Sequence, residues 1–559
     1  MSTLPAVLVT MALFTAAGLL PAWRLVGWRP VTLFLSPLAG MLMAGIAGAF
    51  TVLVAGGVLR WFVAIVVSVN AAALASWLAH REDGEEAQGL AGHHERGTAD
   101  HFSSAWSLTG LVCVLGSVGW CLRSVVRPRI GFDARSIWLE HATWIYLGHA
   151  TAHAALMNAA LPFAHQSYPP LGGAVVAIGW SVSHTQSYRV GQVILATATA
   201  VAVGAAGCVL VELGTATGRR LRVHGGGLLP ASLVATAGVI AAVAWCFGVY
   251  GLAGGSATNG YVDLLWSASA VGAAGFGLAM PLGSSSLRVA AVLMATGGLT
   301  KNEGAAAGAA LVVLLVLRWW KHRPDVGPGD DLGALPPAAG LPPQGMGSSV
   351  TARLASIVAG HSRQVAWGIF GLASVIAWPL TMILVGAQPD PDLSGRRHGS
   401  IASRLDATVR SLADHLHPAG LALAVGVFGL LLMGTLRRRL GIGADPWIWA
   451  MGAAEVLATA AFYVIGTTVI DFWLATSVDR VTIFANSLGL AAIGYWSVVA
   501  AAAALGPRSL VSPAGAPASR RGLPGADPPV GPRGAAGSDG GLSGAPSGVQ
   551  SGGVLHQSP

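Results

Sequence analysis

Charged side chains are scarce in this sequence. Asp, Glu, Lys and Arg make up 10% of its 559 residues, whereas soluble proteins usually carry about 25%. Apolar runs of roughly 20 residues, the length that crosses a bilayer, recur along most of the chain. They show no strand-like alternation, so helices rather than strands are expected to satisfy the backbone. The sequence therefore predicts an all-α polytopic membrane protein.

Cysteine is also rare, and metal-ligand patterns are weak. The four cysteines lie in apolar runs without metal-ligand spacing, which argues against a disulfide framework or a zinc site: Cys113, Cys121, Cys208 and Cys246. His149 and His153 are four residues apart, a spacing that can place two ligands on one helical face. No HExxH-like companion accompanies them, so no metal site is predicted there.

The chain is basic, with a formal net charge of +8. In a soluble protein this charge would suggest nucleic acid as a partner. Here the basic residues cluster beside apolar runs, as the positive-inside rule expects at cytoplasmic helix ends. The clusters are Arg219, Arg220 and Arg222; Arg318, Lys321 and Arg323; and Arg437, Arg438 and Arg439. We therefore predict membrane lipids, and no nucleic acid, as partners.

Four apolar segments precede the first polar loop, and they set the expected topology. They cover about 4–23, 31–58, 60–80 and 104–125, and Arg24 and Arg29 between the first two favour a cytoplasmic turn. The N-terminus and Asp133 are then expected outside. Further spans are predicted at about 190–213, 228–250, 262–282, 365–386, 418–436, 447–469 and 481–505, which gives roughly 11–13 transmembrane helices.

Two stretches do not read as ordinary spans. Residues 134–188 mix aromatic and polar side chains, a composition typical of the membrane interface, and predict two or three interfacial helices in the first large outer loop. The apolar stretch 288–318 is interrupted by Thr300-Lys301-Asn302-Glu303-Gly304, which predicts a broken or re-entrant pair of helices lining a cavity. We divide the chain into N-terminal helices (1–103), a membrane module (104–505) and a disordered cytoplasmic tail (506–559).

Asp133 is the first candidate for chemistry. It follows Gly131-Phe132 after a long apolar run and precedes Ala134-Arg135. A carboxylate here could act as a general base on a hydroxyl, or ligate a divalent metal. A helix cap is the alternative that spacing alone favours.

Other polar groups are expected on the same face. His165 and Tyr168 could bind phosphate or sugar, or could form an interfacial loop with an aromatic anchor. Lys301 suits a lipid phosphate, although a Lys301–Glu303 pair could instead hold two helices together. Asp263 follows Asn259-Gly260-Tyr261-Val262. Arg480 could clamp a phosphate or cap the last span.

Taken in order, these motifs resemble those of bacterial polytopic glycosyltransferases of the GT-C fold, which are related to the dolichyl-phosphate-mannose protein mannosyltransferases and the lipid A aminoarabinose transferases. Residues 131–138 resemble "GWDAxxIW", 165–171 resemble "HPDYPLL", 261–263 resemble part of "GYADLPLA", 300–304 are similar to "TKNEG", and 474–480 resemble "HLATSxDR". Two departures are Gln166-Ser167 in place of Pro-Asp, and Phe472-Trp473-Leu474 in place of Trp-His-Leu.

The resemblance implies a function. A GT-C-like enzyme would move a sugar from a polyprenyl-phosphate donor to a glycan, lipid or protein acceptor of the cell envelope, outside the bacterial cytoplasmic membrane. Asp133 would be the base, and a divalent metal is the one cofactor left open. The residues expected to bind substrate are Trp138, His165, Tyr168, Asp263, Lys301, Asn302, Glu303 and Arg480.

Two other classes of function stay open. Broken helices with buried charge also occur in transporters and lipid flippases. Transporters usually show such breaks in pairs, and only one break is evident in this sequence. The third class is a non-catalytic membrane scaffold that recruits partners through its tail.

Overall fold

The structure is a computed structural model that describes residues 2–88, 97–123, 129–158, 160–161, 164–223, 227–280, 284–321, 362–387, 397–439 and 446–505. The predicted tail 506–559 lies outside these residues. Within them, regular structure is helical throughout. The α-helices are α1 (Thr3–Val26), α2 (Pro30–Leu53), α3 (Val58–Gln88), α4 (Gly97–Leu122), α5 (Leu139–Leu147), α6 (His149–Leu156), α7 (Leu171–Ser183), α8 (Tyr188–Val223), α9 (Leu228–Ala253), α10 (Asp263–Ala274), α11 (Ser284–Thr300), α12 (Asn302–Lys321), α13 (Ser362–Leu384), α14 (Ile401–His415), α15 (His417–Arg439), α16 (Pro446–Ile465), α17 (Ile470–Val481) and α18 (Ile483–Leu505).

The prediction of an all-α polytopic membrane protein is confirmed. In the part of the chain that the structure describes, nine helical segments are long and apolar enough to cross a membrane. Leu171–Ser183 and His417–Gly429 are shorter apolar helices. The protein is therefore an all-α, multi-pass membrane protein.

Small residues let the helices pack closely. A Cβ on Gly18 or Gly40 would collide with backbone atoms across the α1–α2 contact, and Gly214 and Gly238 meet in the same way between α8 and α9. Glycine at such contacts is typical of membrane helices, where close van der Waals packing stabilises association.

The bundle has two distinct ends. Helix α8 runs from Tyr188, whose hydroxyl lies 3.4 Å from Glu140 Oε2, to a far end where Glu212 pairs with Arg29. Arg288, near the start of α11, donates to the carbonyl of Leu25 in the last turn of α1, close to Arg29 in the chain. The basic cluster at the end of α8 therefore lies at the end opposite to residues 134–188.

The apolar stretch 288–318 is broken where the sequence predicts. Helix α11 ends at Thr300 and α12 begins at Asn302. The two helices fold back on each other, since Gly298 lies against Ala305 and a Cβ on Gly304 would collide with the carbonyl of Gly297. Lys301 is thus the tip of a tight helical hairpin.

The loop predicted to hold interfacial helices contains three short α-helices, α5, α6 and α7. Helix α7 is almost wholly buried and packs beneath α2, where a Cβ on Gly48 would meet Ala174. The neighbouring loop is fixed by His141, whose Nε2 lies 2.8 Å from the carbonyl oxygen of Ala164. These contacts hold the segment that carries His165 and Tyr168.

Candidate functional site

The Asp133 loop is bound tightly to the loop before α10. The backbone N–H of Gly131 donates to the carbonyl of Asn259 over 3.0 Å. A Cβ at Gly131 would collide with the Tyr261 ring, so only glycine fits without a shift. Asp133 itself precedes a single π-helical turn, Ala134–Trp138, a distortion that is frequent at functional sites.

The carboxylate of Asp133 does not act as a helix cap. No capping hydrogen bond joins its side chain to the turn that follows. Instead it forms an ion pair with the guanidinium of Arg480, which lies in the last turn of α17. Arg480 is therefore directed at this carboxylate, and not at the start of α18.

Opposite charges alternate across the site. Arg480 Nη1 also lies 3.7 Å from Asp263 Oδ2, whose other oxygen accepts from Lys301 Nζ over 2.9 Å. Lys301 Nζ lies 2.8 Å from Glu303 Oε1. The order is Asp133, Arg480, Asp263, Lys301 and Glu303, which we call the charge chain.

Burial makes these pairs interdependent. The side chains of Asp263 and Lys301 are only 3% and 9% exposed. Removing one partner of a buried pair leaves the other charge uncompensated at high cost. Arg480 also keeps a spare donor, because its Nε is buried and has no acceptor among the described residues. An oxygen of an anionic ligand would suit that group as an acceptor.

Stacked aromatic rings form a second wall. The ring of His165 stacks on that of Tyr168 at 4.8 Å between centroids, and Tyr168 stacks on Trp138 at 5.5 Å. Lys301 Nζ lies 5.9 Å from the Tyr168 ring, within the range of a cation–π contact. His165 has φ of 44°, a left-handed conformation that is uncommon for a residue other than glycine.

The charge chain and the aromatic wall enclose one cavity of about 260 Å³, which we call the inner chamber. All nine residues that the sequence singles out line it: Asp133, Trp138, His165, Tyr168, Asp263, Lys301, Asn302, Glu303 and Arg480. They come from segments up to 347 residues apart in the chain. The structure thus brings the whole predicted set together.

A larger cavity adjoins the inner chamber. Its volume is about 850 Å³, and it shares Asp133, His165 and Arg480 with the inner chamber. Phe132 and Phe472, both exposed, contribute apolar surface to it. The Asp133–Arg480 pair therefore lies where the two cavities meet.

Sequence reasoning missed several lining residues. Glu455, Thr459 and Tyr463 reach the inner chamber from α16, and Ser477 reaches it from α17. The Tyr463 hydroxyl lies 2.7 Å from Ser477 Oγ. Glu455 had a usable signal, because an acidic residue inside an apolar run is a functional candidate by default.

Two groups near the site have shifted pKa values. Burial lowers the pKa of His141 to about 4, so the ring is neutral near pH 7 and Nε2–H can donate to Ala164. Burial, and then the nearby Asp133 carboxylate, raise the pKa of Tyr261. Tyr261 therefore stays a neutral phenol beside the Asp133–Arg480 pair.

Metal-binding geometry is not evident in the described ranges. No group of three or more His, Cys, Asp or Glu side chains there is arranged to hold a metal ion. The rings of His149 and His153 stack at 5.4 Å. The carboxylates of Asp133 and Asp263 already face cationic side chains.

The lining of the inner chamber indicates what kind of ligand it suits. Its polar groups are basic and acidic in alternation, and its walls are aromatic, which suits a ligand with both an anionic group and a ring.

No protein-family model, curated protein or solved structure matches this chain.

Proposed function

We propose that the protein is a membrane glycosyltransferase that moves a sugar from a polyprenyl-phosphate donor to a hydroxyl of a cell-envelope acceptor. The acceptor is a glycan, lipid or protein at the outer face of the bacterial cytoplasmic membrane. Asp133 is the general base. The observation that carries the proposal is the convergence of motif residues from five separate segments on one chamber that contains two cations and a potential base.

The Asp133–Arg480 pair gives the proposal a defined first step. A donor phosphate competes for Arg480, whose Nε has no acceptor among the described residues and whose fork suits phosphate oxygens. Once Arg480 turns to the phosphate, the Asp133 carboxylate is released to accept a proton. Donor binding would thereby prepare the base.

The transfer step conserves protons and electron pairs. The acceptor oxygen attacks the anomeric carbon while its proton passes to the Asp133 carboxylate. The bond from the anomeric carbon to the phosphate oxygen breaks, and its electron pair leaves with the polyprenyl phosphate. Arg480 and Lys301 stabilise the charge that develops on that phosphate. In-line geometry makes the transfer inverting.

The two ends of the bundle support the proposed orientation. The chamber lies at the end of α8 opposite to the basic cluster that follows Glu212. Basic clusters favour the cytoplasmic side, which supports a chamber that faces outward. A donor that enters from the outer leaflet would meet the apolar surface of the larger cavity first.

Replacing Asp133 with Asn tests the proposal. Because Asn cannot take the proton, we expect D133N to lose transfer by about 10²- to 10⁴-fold while it still folds and inserts into the membrane. The assay measures sugar transfer by purified protein from polyprenyl-phosphate monosaccharides. The matched control is D471N, which removes an exposed carboxylate at the start of α17. Full activity of D133N, or an equal loss in D471N, would contradict the role of Asp133.

A transporter is the second candidate, and one observation favours it. A buried lysine at the tip of a helical hairpin, Lys301, is also a feature that suits substrate sites in transporters. The two functions differ in whether a glycosidic bond is broken. If the protein, reconstituted in liposomes, moves an intact polyprenyl-linked sugar across the liposome membrane without releasing polyprenyl phosphate, the transporter is favoured.

A further inference from the structure

Glu455 has no role in the transfer step above, although it is one of the least exposed acids of the described chain. It lies within α16, in a segment that is apolar enough to span the membrane, and it is only 4% exposed. Among the described residues, the charges of Glu303 and Lys301 act on its carboxyl, and no hydrogen bond to it is found. A carboxyl at such a position is costly unless a ligand or another group compensates it.

The carboxyl of Glu455 lies on a face of α16 that is turned to the inner chamber. Glu455, Ala458, Thr459 and Phe462 have helical spacings of three, four and seven residues, and all four line the chamber. We call these four residues the α16 stripe. It presents a carboxyl, a hydroxyl, a small side chain and an aromatic ring together. Such a mixture suits a polyhydroxylated ring better than a hydrocarbon chain.

The charge chain lines another part of the same chamber, next to α16. Glu303 and Ala306, three residues apart on α12, face the same cavity. With the donor phosphate on Arg480 and Lys301, and the anomeric carbon near Asp133, the remaining hydroxyls of the sugar would meet the α16 stripe. The chamber volume of about 260 Å³ is slightly below the range of drug-sized sites, which begins at about 300 Å³, so it suits a small ligand such as a single monosaccharide.

We propose that the α16 stripe is the sugar subsite and that Glu455 determines specificity by hydrogen-bonding one hydroxyl of the transferred monosaccharide. A carboxyl can serve in either protonation state, since the ionised form accepts and the protonated form also donates. The inference rests on the proposed function, and it adds the residue that recognises the sugar. A site built to bind a hydroxyl strongly rejects an analogue that lacks it.

The experiment compares polyprenyl-phosphate monosaccharides with their monodeoxy analogues as donors for the purified full-length protein. We expect the wild type to lose at least about tenfold in kcat/KM on one particular deoxy donor. E455A should lose that discrimination, because the parent and the deoxy sugar then lack the same contact. E455Q should keep part of it. L457A is the control, because Leu457 is on the exposed side of the same helix.

The outcomes separate the inference from the proposed function. If the wild type uses all deoxy analogues as well as the parent sugar, no side chain recognises a hydroxyl and the inference is wrong, whatever the variants do. If the wild type discriminates between the parent and a deoxy donor, and E455A and E455Q do so as strongly as the wild type, the inference is again wrong. The glycosyltransferase proposal stands in that case. If no polyprenyl-phosphate sugar is consumed by the wild type, the proposed function itself fails, and the inference fails with it.

Discussion

Lys301 shows how the site depends on single side chains. Its ammonium lies between the carboxylates of Asp263 and Glu303, and it is almost fully buried. The same three charges therefore contribute to the stability of the hairpin tip and to the electrostatics of the chamber. A substitution of any of these three residues is expected to affect both the stability of the protein and its activity.

We predict that K301A lowers the free energy of unfolding by about 3–5 kcal/mol, because it leaves buried carboxylates without a partner. The apparent melting temperature in detergent measures the effect. K301A/D263N should recover part of the loss, since it removes one of the uncompensated charges. The control is R410A, which breaks the exposed Arg410–Asp406 pair and should change stability by less than about 1 kcal/mol. Equal losses of unfolding free energy in K301A and R410A would show that the charge chain contributes no more to stability than an exposed ion pair does.

At the scale of elements, the α11–α12 hairpin positions Lys301. The helices approach so closely at Gly304 that a side chain there would collide with the carbonyl of Gly297. The short break at Lys301 and this contact together direct the ammonium into the chamber. The geometry of the hairpin is therefore a condition for the site.

We predict that G304A destabilises the protein by about 1–3 kcal/mol, as overpacking usually does, and reduces transfer because Lys301 moves. The matched control is G116A in α4, where a Cβ would meet no atom within 4 Å. G116A should be neutral or stabilising, since alanine favours helix by up to about 1 kcal/mol. Melting temperature and activity are measured for both. A fully active and stable G304A would contradict the close approach.

The broken hairpin could be predicted from sequence, because a polar Lys-Asn-Glu group interrupts an otherwise apolar run. The place of Asp133 could be predicted only in part. Spacing alone favoured a helix cap, and the pairing with Arg480 depends on how α17 packs beside the loop before α10. Glu455 could have been noted as an acid inside an apolar run, but its place on the chamber could not, because the orientation of α16 toward α12 follows from packing between helices that are distant in the chain. The other lining residues of α16 were missed for the same reason, whereas Ser477 lies in the 474–480 motif and was not singled out there.

At the scale of the whole molecule, the proposed function requires that the two ends of the bundle lie on opposite sides of the membrane. Ala402 on α14 is exposed at the end that carries the chamber, since Arg404 of the same helix donates to the carbonyl of Tyr463. Val223, at the far end of α8, is 76% exposed. These two positions report on the two ends.

We predict that A402C reacts with a membrane-impermeant maleimide in intact cells, whereas V223C reacts only after permeabilisation. The background is C113S/C121S, because Cys113 and Cys121 are the partly exposed native cysteines. The reverse labelling pattern would place the chamber on the cytoplasmic side. Labelling of both positions in intact cells would contradict the two-ended arrangement.

Whether the protein uses a polyprenyl-phosphate sugar as its donor can be tested in cells, even while the sugar is unidentified. The measurement is mass spectrometry of lipid-linked monosaccharides in cells that lack the protein, with and without complementation. We predict that one polyprenyl-phosphate sugar accumulates, that wild type and D471N restore its normal level, and that D133N does not. No accumulation in the deletion cells, or full restoration by D133N, would contradict the proposed transfer at Asp133.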